Sequence, residues 1–330
     1  MHNPVTKLNR ICRHPLSLLL GLSLLAASSW PPVEQTRGED KTSNTAAEFP
    51  DELVHWEPIV GKNPVFTAQG EGHWDVKIRE RGWILAEGGE YRLWYTGYDG
   101  KREDRKYLGY ATSHDGLRWT EWPTNPLVHN HWVEDVNVTK QGDLYYMFAE
   151  GEHDNHAELL TSKDGIKWDW HGEIEVRAAD GKTPAKKPCG TPTAWFENGT
   201  WYLFYEWLDR GDWLATSKDP ISGVWTNLQD EPVLSTGPGE YDKDLLAIDQ
   251  VMKYEGVYYA IYHGSGSGTA MPRTWNTDIA KSTDLVHWTK YAKNPIVEDN
   301  KSSGELVPVH NYFRLYTMHD RVDVFEPSGK

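Results

Sequence analysis

One pattern recurs along the chain and governs what it can fold into. A serine, an aspartate two places later and then a tryptophan appear as SHDGLRW at 113–119, SKDGIKW at 162–168, SKDPISGVW at 217–225 and STDLVHW at 282–288. Upstream of each serine, a stretch rich in aromatic residues starts after a glycine turn: GGEYRLWYTG, QGDLYYMFAEG, NGTWYLFYEW and EGVYYAIYHG. Glycine followed by such a run is the signature of a hairpin leading into a strand. The unit therefore reads as strand, Gly turn, aromatic strand, third strand, Asp turn and fourth strand. At a period of roughly fifty residues, such a four-stranded antiparallel unit is a propeller blade. Within it, the Asp is expected to cap a tight turn and the Trp to pack between neighbouring sheets.

The last unit stops early. After Gly304 come ELVPV, FRLYTMH and RVDVF, with no Ser-Asp-Trp hairpin to follow. The missing strand is found at the other end of the chain, where DELVHW at 51–56 repeats the LVHW of TDLVHW at 283–288. Both copies run on to an Asn-Pro and a β-branched residue, Asn63-Pro64-Val65 and Asn294-Pro295-Ile296. Residues 51–66 are thus expected to complete the final blade. The predicted fold is all-β, a five-bladed β-propeller whose last blade is closed by the N-terminal strand, which removes the exposed edges of an open ring.

Ahead of the propeller, Lys7, Arg10 and Arg13 precede the apolar run Leu16–Ala27, which ends in small residues. That is the pattern of a secretory signal over 1–30, followed by a disordered lead-in over 31–50 and the propeller catalytic domain over 51–330. The expected localisation is exported, periplasmic or secreted. The run is shorter than the roughly 20 residues a membrane span needs, so no membrane insertion is expected. With Cys12 in the leader, Cys189 has no partner for a disulfide, and the core must hold without one. Losing the three leader cations takes the formal charge from −15 to −18, which argues against nucleic acid as a partner. A monomer is expected. Seventeen Trp and seventeen Tyr against seven Phe favour rings with a hydrogen-bonding handle, suited to sheet packing and to stacking on sugars.

Candidate site residues follow from repeat arithmetic. Asp135 and Asp249 each lie seven residues before a turn glycine, Gly142 and Gly256, at the start of an inner strand. The third blade has Pro192 there, flanked by Thr191 and Thr193. Aligning the ends of the aromatic strands puts Thr96, Glu150, Glu206 and His263 at one depth, with Met318 and His319 in the last blade. Blade one is less regular: GHWDVKIRERGWIL gathers His73, Trp74, Asp75, Arg79, Glu80 and Arg81 before its inner strand. Asp75 there has an alternative reading as an ion-pair partner of Arg79 or Arg81. Glu134 and Glu305 fall one place out of register. HGSGSG at 263–268 follows a strand but opens no helix, so it reads as a mobile loop over the ring rather than a phosphate cradle.

A chain with a secretory leader, five predicted blades and hairpins of the GYATSHDGLRW type resembles the glycoside hydrolase superfamily that includes families 43, 32, 62, 68, 117 and 130. The Trp-x-Asn-Asp-Pro-Asn-Gly, Arg-Asp-Pro and Glu-Cys-Pro signatures of its sucrose-cleaving members do not occur. The resemblance implies a funnel at the ring axis in which carboxylates cleave a glycosidic bond, one as base or nucleophile, one as proton donor and one to tune and orient. A transition state of this kind is served from two sides by carboxyl groups in different protonation states. By blade order Asp75 would be the base, Asp135 the tuning residue and Glu206 the donor, with Glu150 as its competitor. Trp74, Arg81, Glu150, Asp249, His263 and His319 would bind substrate. The usual third-blade acid is absent, since Gly190-Thr191-Pro192 stands where relatives carry Glu-Gly-Pro or Glu-Cys-Pro.

The implied function is a glycosidase, exo-acting, on a poly- or oligosaccharide. Two alternatives stand beside it. One is a glycoside phosphorylase using His73, Arg79, Arg81 and the two histidines for phosphate, and the other is a non-catalytic carbohydrate-binding propeller. No cofactor is called for. An axial calcium held by His263 or His319 is implied only by some relatives, and no clustered ligand spacing demands it.

Overall fold

The computed structural model describes residues 48–101, 106–152, 156–185, 190–268 and 273–329. The expected leader, most of the lead-in, Cys189 and the stretch just after HGSGSG lie outside the described residues. The chain forms five antiparallel blades. Their inner strands are Trp83–Glu87, Glu134–Gln141, Gly190–Glu197, Leu245–Tyr254 and Gly304–Val309. Each inner strand contacts the next, and the fifth contacts the first, so the ring is closed. Blade three is elaborated: Val176–Arg177 runs parallel to its outer strand Trp225–Asn227.

The repeated motifs have the predicted jobs. In each Ser-x-Asp hairpin the serine hydroxyl accepts the aspartate's own N–H, and the Asp carboxylate accepts two N–H groups beyond the turn: Leu117 and Arg118 for Asp115, Ile166 and Lys167 for Asp164, Ile221 and Ser222 for Asp219, Val286 and His287 for Asp284. These bonds hold the carboxyls of Asp115 and Asp284 below the usual carboxylate range even though burial opposes them. Each tryptophan then leans on the preceding blade. Trp168 meets Trp94 at 6.2 Å, Trp225 meets Phe148 at 5.9 Å and Trp288 meets Phe204 at 6.1 Å. Because strand side chains alternate, every blade has two faces to bury. The structure holds five apolar clusters, one at each blade junction.

Closure by the N-terminal strand is direct. Trp56–Pro58 pairs with Val322–Pro327, Trp56 opposite Pro327 and Pro58 opposite Phe325. The two LVHW copies even share an internal bond, Trp56 Nε1 to Leu53 O at 3.1 Å and Trp288 Nε1 to Leu285 O at 3.0 Å. The asparagines beyond them match too. Asn63 bonds both the C=O and the N–H of Val324 (2.9 and 2.7 Å), as Asn294 does those of Ile279 (both 3.0 Å). Asn63→Ala strips two partners from the closing blade and should cost about 1–3 kcal/mol, read as a lower denaturant midpoint at unchanged slope. A midpoint unmoved by the substitution would show that water replaces the asparagine.

Inner strands diverge around the axis and cannot ladder with one another, yet their backbone groups need partners. One position on four of the inner strands supplies them. Asn137 Oδ1 accepts Ala194 N–H at 3.1 Å, Thr193 Oγ1 donates to Ile248 O at 2.9 Å, Gln250 exchanges two bonds with Leu306, and Glu305 Oε2 accepts Ile84 N–H at 2.7 Å. Glu305 therefore belongs to this girdle, tying blade five to blade one.

Candidate functional site at the ring axis

Just above the girdle, the inner strands of blades two, three and four carry a bulge at their axial ends, between Glu134 and Asn137, Gly190 and Thr193, and Ile248 and Gln250. Bulges re-aim side chains. The residue seven places before each two-residue turn is Arg81, Asp135, Thr191 or Ser303 in blades one, two, three and five, and each has a positive φ, between 36° and 55°. Left-handed backbone at non-glycine residues is costly and gathers at functional sites. The register corrects the glycine count. Gly142 opens its turn whereas Gly256 closes its own, so Asp135 corresponds to Ile248, and Asp249 to Val136.

Arg81 closes the axis. Its guanidinium, on a side chain 2% exposed, donates to Thr193 Oγ1 (2.7 Å), Thr191 O (3.4 Å), Pro192 O (2.6 Å), Ile248 O (3.4 Å) and Asp135 O. Its backbone N–H reaches Met318 O at 2.9 Å. The side chain thus links three other blades, and the backbone N–H adds the fifth. Asp135, Asp249, Glu150 and Asp212 surround it as countercharges.

Glu150 and Glu206 end the second strands of blades two and three, and His263 stands at the same level in blade four, opposite Glu134, Gly190 and Ala247 respectively. Glu150 is partly exposed, and its Oε1 accepts Thr191 N–H at 2.6 Å. Burial first, then the charges of Glu134 and Glu206, push its carboxyl up to about 8. Asp135, also partly exposed, is raised by burial and by Glu150 and Glu134. Glu206 is 2% exposed, its Oε2 covered by Asp209 N–H. Burial with Asp209 and Asp212 pushes it up to about 8. Asp249 Oδ1 bonds His263 Nδ1 at 2.8 Å and its Oδ2 accepts Gly304 N–H at 3.2 Å. Burial alone would lower His263, but Asp249, Asp209 and Glu80 raise it to about 10, so the ring is an imidazolium at neutral pH. Asp209 and Asp212, which follow Glu206 in a short turn and the next strand, were not found by repeat arithmetic. Asp212 accepts Ile248 N–H and is pushed up to about 7, burial leading.

Two expected members lie elsewhere. Asp75 is fully buried, with Gln69 N–H and Tyr95 O–H as donors and Glu121 nearby. None of these belongs to the axial group, and no ion pair joins Asp75 to Arg79 or Arg81. Blade four shows why. Asp242 sits under Tyr262 O–H (3.2 Å), and Asn294 reaches that hydroxyl as Asn125 reaches Tyr95. Gly70 N–H to Asp75 O is likewise matched by Gly237 N–H to Asp242 O. GEGHWD at 70–75 and GPGEYD at 237–242 are a second internal repeat that braces a blade. Trp74 belongs to the brace as well: it packs on Tyr95 at 5.8 Å and presses on Gly97, where a Cβ would lie 2.4 Å from its ring. A matched aspartate in two blades was the signal that separates this pair from the site.

His319 bonds Ser302 Oγ at 3.0 Å and lines a pocket of roughly 420 Å³ with Arg79, Glu80, Tyr98 and Lys77. Arg79 is spoken for by Glu80 and Glu134. His263, Gly264 and Ser265 are strand, so the expected loop starts only at Gly266. Residues for an axial calcium do not come together: His263 is bound to Asp249, His319 to Ser302, and a guanidinium takes the axis. No group of three His, Cys, Asp or Glu among the described residues is arranged to hold a metal.

Raised carboxyls set a direction for stability against pH. The folded chain holds protons on Glu150, Glu206 and Asp212 that the unfolded chain releases at ordinary carboxylate pH, so stability falls as pH rises from about 4.5 to 8. His263 adds a loss between about 6.5 and 10. The melting temperature should therefore peak on the acid side of neutrality and decline steadily toward pH 10, and Glu206→Gln should flatten the middle of that decline. A profile flat from pH 5 to 9 would contradict the assigned protonation.

A buried axial girdle lies beneath bulge-borne and strand-end carboxyls, and the fold is a five-bladed β-propeller, the arrangement also found in several solved glycoside hydrolases. Among solved structures, the chain is similar to a glycosyl hydrolase of Bacteroides ovatus, 19% identical over 84% of this chain and 95% of that one, with a TM-score of 0.67. It is similar to a protein described with the GH130 family of mannoside phosphorylases, which contains hydrolases of β-1,2 mannosidic linkages in Candida mannan (16% identical, 86% and 96% covered, TM-score 0.64). β-1,2-Mannobiose phosphorylase of Listeria innocua is similar at 17% identity, 82% and 95% coverage and a TM-score of 0.58. An uncharacterized protein of Mycobacterium tuberculosis, MT1551, is 23% identical over 228 residues, 62% of this chain and 73% of that protein. No protein-family profile matches.

Proposed function

We propose that the protein is an exo-acting glycosidase that protonates the leaving oxygen of a glycosidic bond from Glu150. The observation that carries this is the state of Glu150, a carboxyl near 8 that stays partly exposed at the ring axis while Thr191 N–H fixes one oxygen. A general acid must keep its proton at working pH and reach the substrate. Glu206, the donor expected by blade order, satisfies the first need and not the second. Glu134 and Glu206, whose charges raise Glu150, serve to keep that proton in place, since neighbouring carboxyls do not readily ionise together. Arg81 gives the funnel a floor, which suits a site that receives a chain end.

Phosphorolysis is disfavoured by the pairing of the cations. Arg79 faces Glu80 and Glu134, His263 faces Asp249, and Arg81 is spent on carbonyls. A phosphate would meet a surround already rich in carboxyls. Purified protein should release monosaccharide from a panel of oligosaccharides and nitrophenyl glycosides, β-1,2-mannobiose included because two structural neighbours act on such linkages. The release should be unchanged by added phosphate. Release only with phosphate would replace this reading by phosphorolysis, and binding without release would leave a carbohydrate-binding propeller.

A further inference from the structure

The turn after Glu206 has a geometry that its packing alone does not require. Leu208 and Asp209 adopt left-handed backbone in succession, at φ 54° and 53°, although neither is glycine. Leu208 is 55% exposed, so its strain is not compensated by burying its side chain. The turn is fastened to the neighbouring blade: Leu246 N–H reaches Asp209 O at 2.8 Å, and Arg210 forms a parallel bridge with Leu246. Asp209 N–H also caps Glu206. The result is a partly exposed carboxyl that feels the charges of His263 and Glu80, on the blade where Gly190-Thr191-Pro192 leaves no acid.

We propose that Asp209 is the general base of the site, placed by this strained turn to deprotonate the attacking water while Glu150 protonates the leaving oxygen. This rests on the glycosidase reading above. In the step, Asp209 takes one proton from water, the water oxygen bonds to the anomeric carbon, the bond from that carbon to the leaving oxygen breaks, and that oxygen takes the proton of Glu150. Direct displacement inverts the anomeric centre.

The surroundings fit a base. Burial first, and then Glu80 of blade one, oppose the ionised carboxylate, while His263 of blade four, with Arg273 and Arg210, favours it. Asp209 therefore lies above the usual carboxylate range, closer to the pH at which it would work. Among the described residues its carboxylate accepts no hydrogen bond, which leaves it free for a water.

The test uses whichever substrate the wild type cleaves. Asp209→Ala and the isosteric Asp209→Asn should each lose roughly 10²- to 10⁴-fold in kcat with little change in KM. Sodium azide should restore turnover to Asp209→Ala as a glycosyl azide, a rescue that a merely structural role would not allow. Nuclear magnetic resonance of the first product should show inversion. Leu208→Gly, which accommodates the left-handed backbone, should raise the melting temperature while lowering kcat. Wild-type levels of activity in both Asp209 variants, loss without azide rescue in a folded Asp209→Ala, or retention of configuration would overturn the assignment and leave the glycosidase reading standing. A wild type that cleaves nothing would remove that reading, and the base with it.

Discussion

Arg81→Met should be the most damaging single substitution in the propeller, costing about 3–5 kcal/mol, the range for removing one partner from a buried charged network. The side chain is buried and its guanidinium is donated to blades two, three and four at once. Methionine fills much of the volume but leaves the carbonyls of Thr191, Pro192 and Asp135 without their donor, and buried unpaired acceptors are expensive. It also removes the countercharge from Asp135, Asp249, Glu150 and Asp212. The two losses separate by pH. Near pH 5 Glu150 and Asp212 keep their protons in the fold, so the charge part shrinks and the hydrogen-bond part remains. Urea unfolding at pH 5 and pH 8 measures both, and Arg81→Lys should recover the charge but not the fork of bonds. A loss below 1 kcal/mol at pH 8 would mean that water satisfies the axis without the guanidinium.

What could be read from the sequence divides along physical lines. Blade count, hairpins and closure were legible because each is set by local chemistry that repeats: a Ser-x-Asp turn makes the same bonds wherever it occurs, and LVHW forms the same Trp-to-Leu bond at both ends of the chain. Side-chain direction at the axis was harder. It depends on bulges, which shift register by one, and on which of two turn residues is glycine, so Asp135 and Asp249 were aligned although they occupy successive positions. Asp75 was misplaced for a different reason. Blade order suggests a role, but only the matching GPGEYD at 237–242 shows that such an aspartate supports a tyrosine. Asp209 left no signal in the repeat because the LDRGD that follows Glu206 and Trp207 has no matching sequence after Glu150 or His263.

Glu150→Gln is expected to lower kcat by roughly 10²- to 10⁴-fold on an unactivated oligosaccharide, the usual range for losing a general acid. Glutamine keeps the shape and can still meet Thr191 N–H through its carbonyl oxygen, so the fold should survive, and with one fewer raised carboxyl its stability at pH 8 should not fall. The loss should be much smaller on a nitrophenyl glycoside, whose leaving group departs without a proton. The alkaline limb of the pH–rate profile provides a second reading. In the wild type it should fall near pH 8, where Glu150 releases its proton, and in the variant that limb should disappear. Glu206→Gln should behave differently, changing stability and its pH dependence more than the substrate dependence of kcat, because its oxygen holds the Asp209 turn rather than facing the mouth. Equal losses on both substrates for Glu150→Gln would assign Glu150 to binding. If Glu206→Gln instead showed the leaving-group dependence, the proton would come from blade three after all, and the turn at Leu208 would have to open to let it pass.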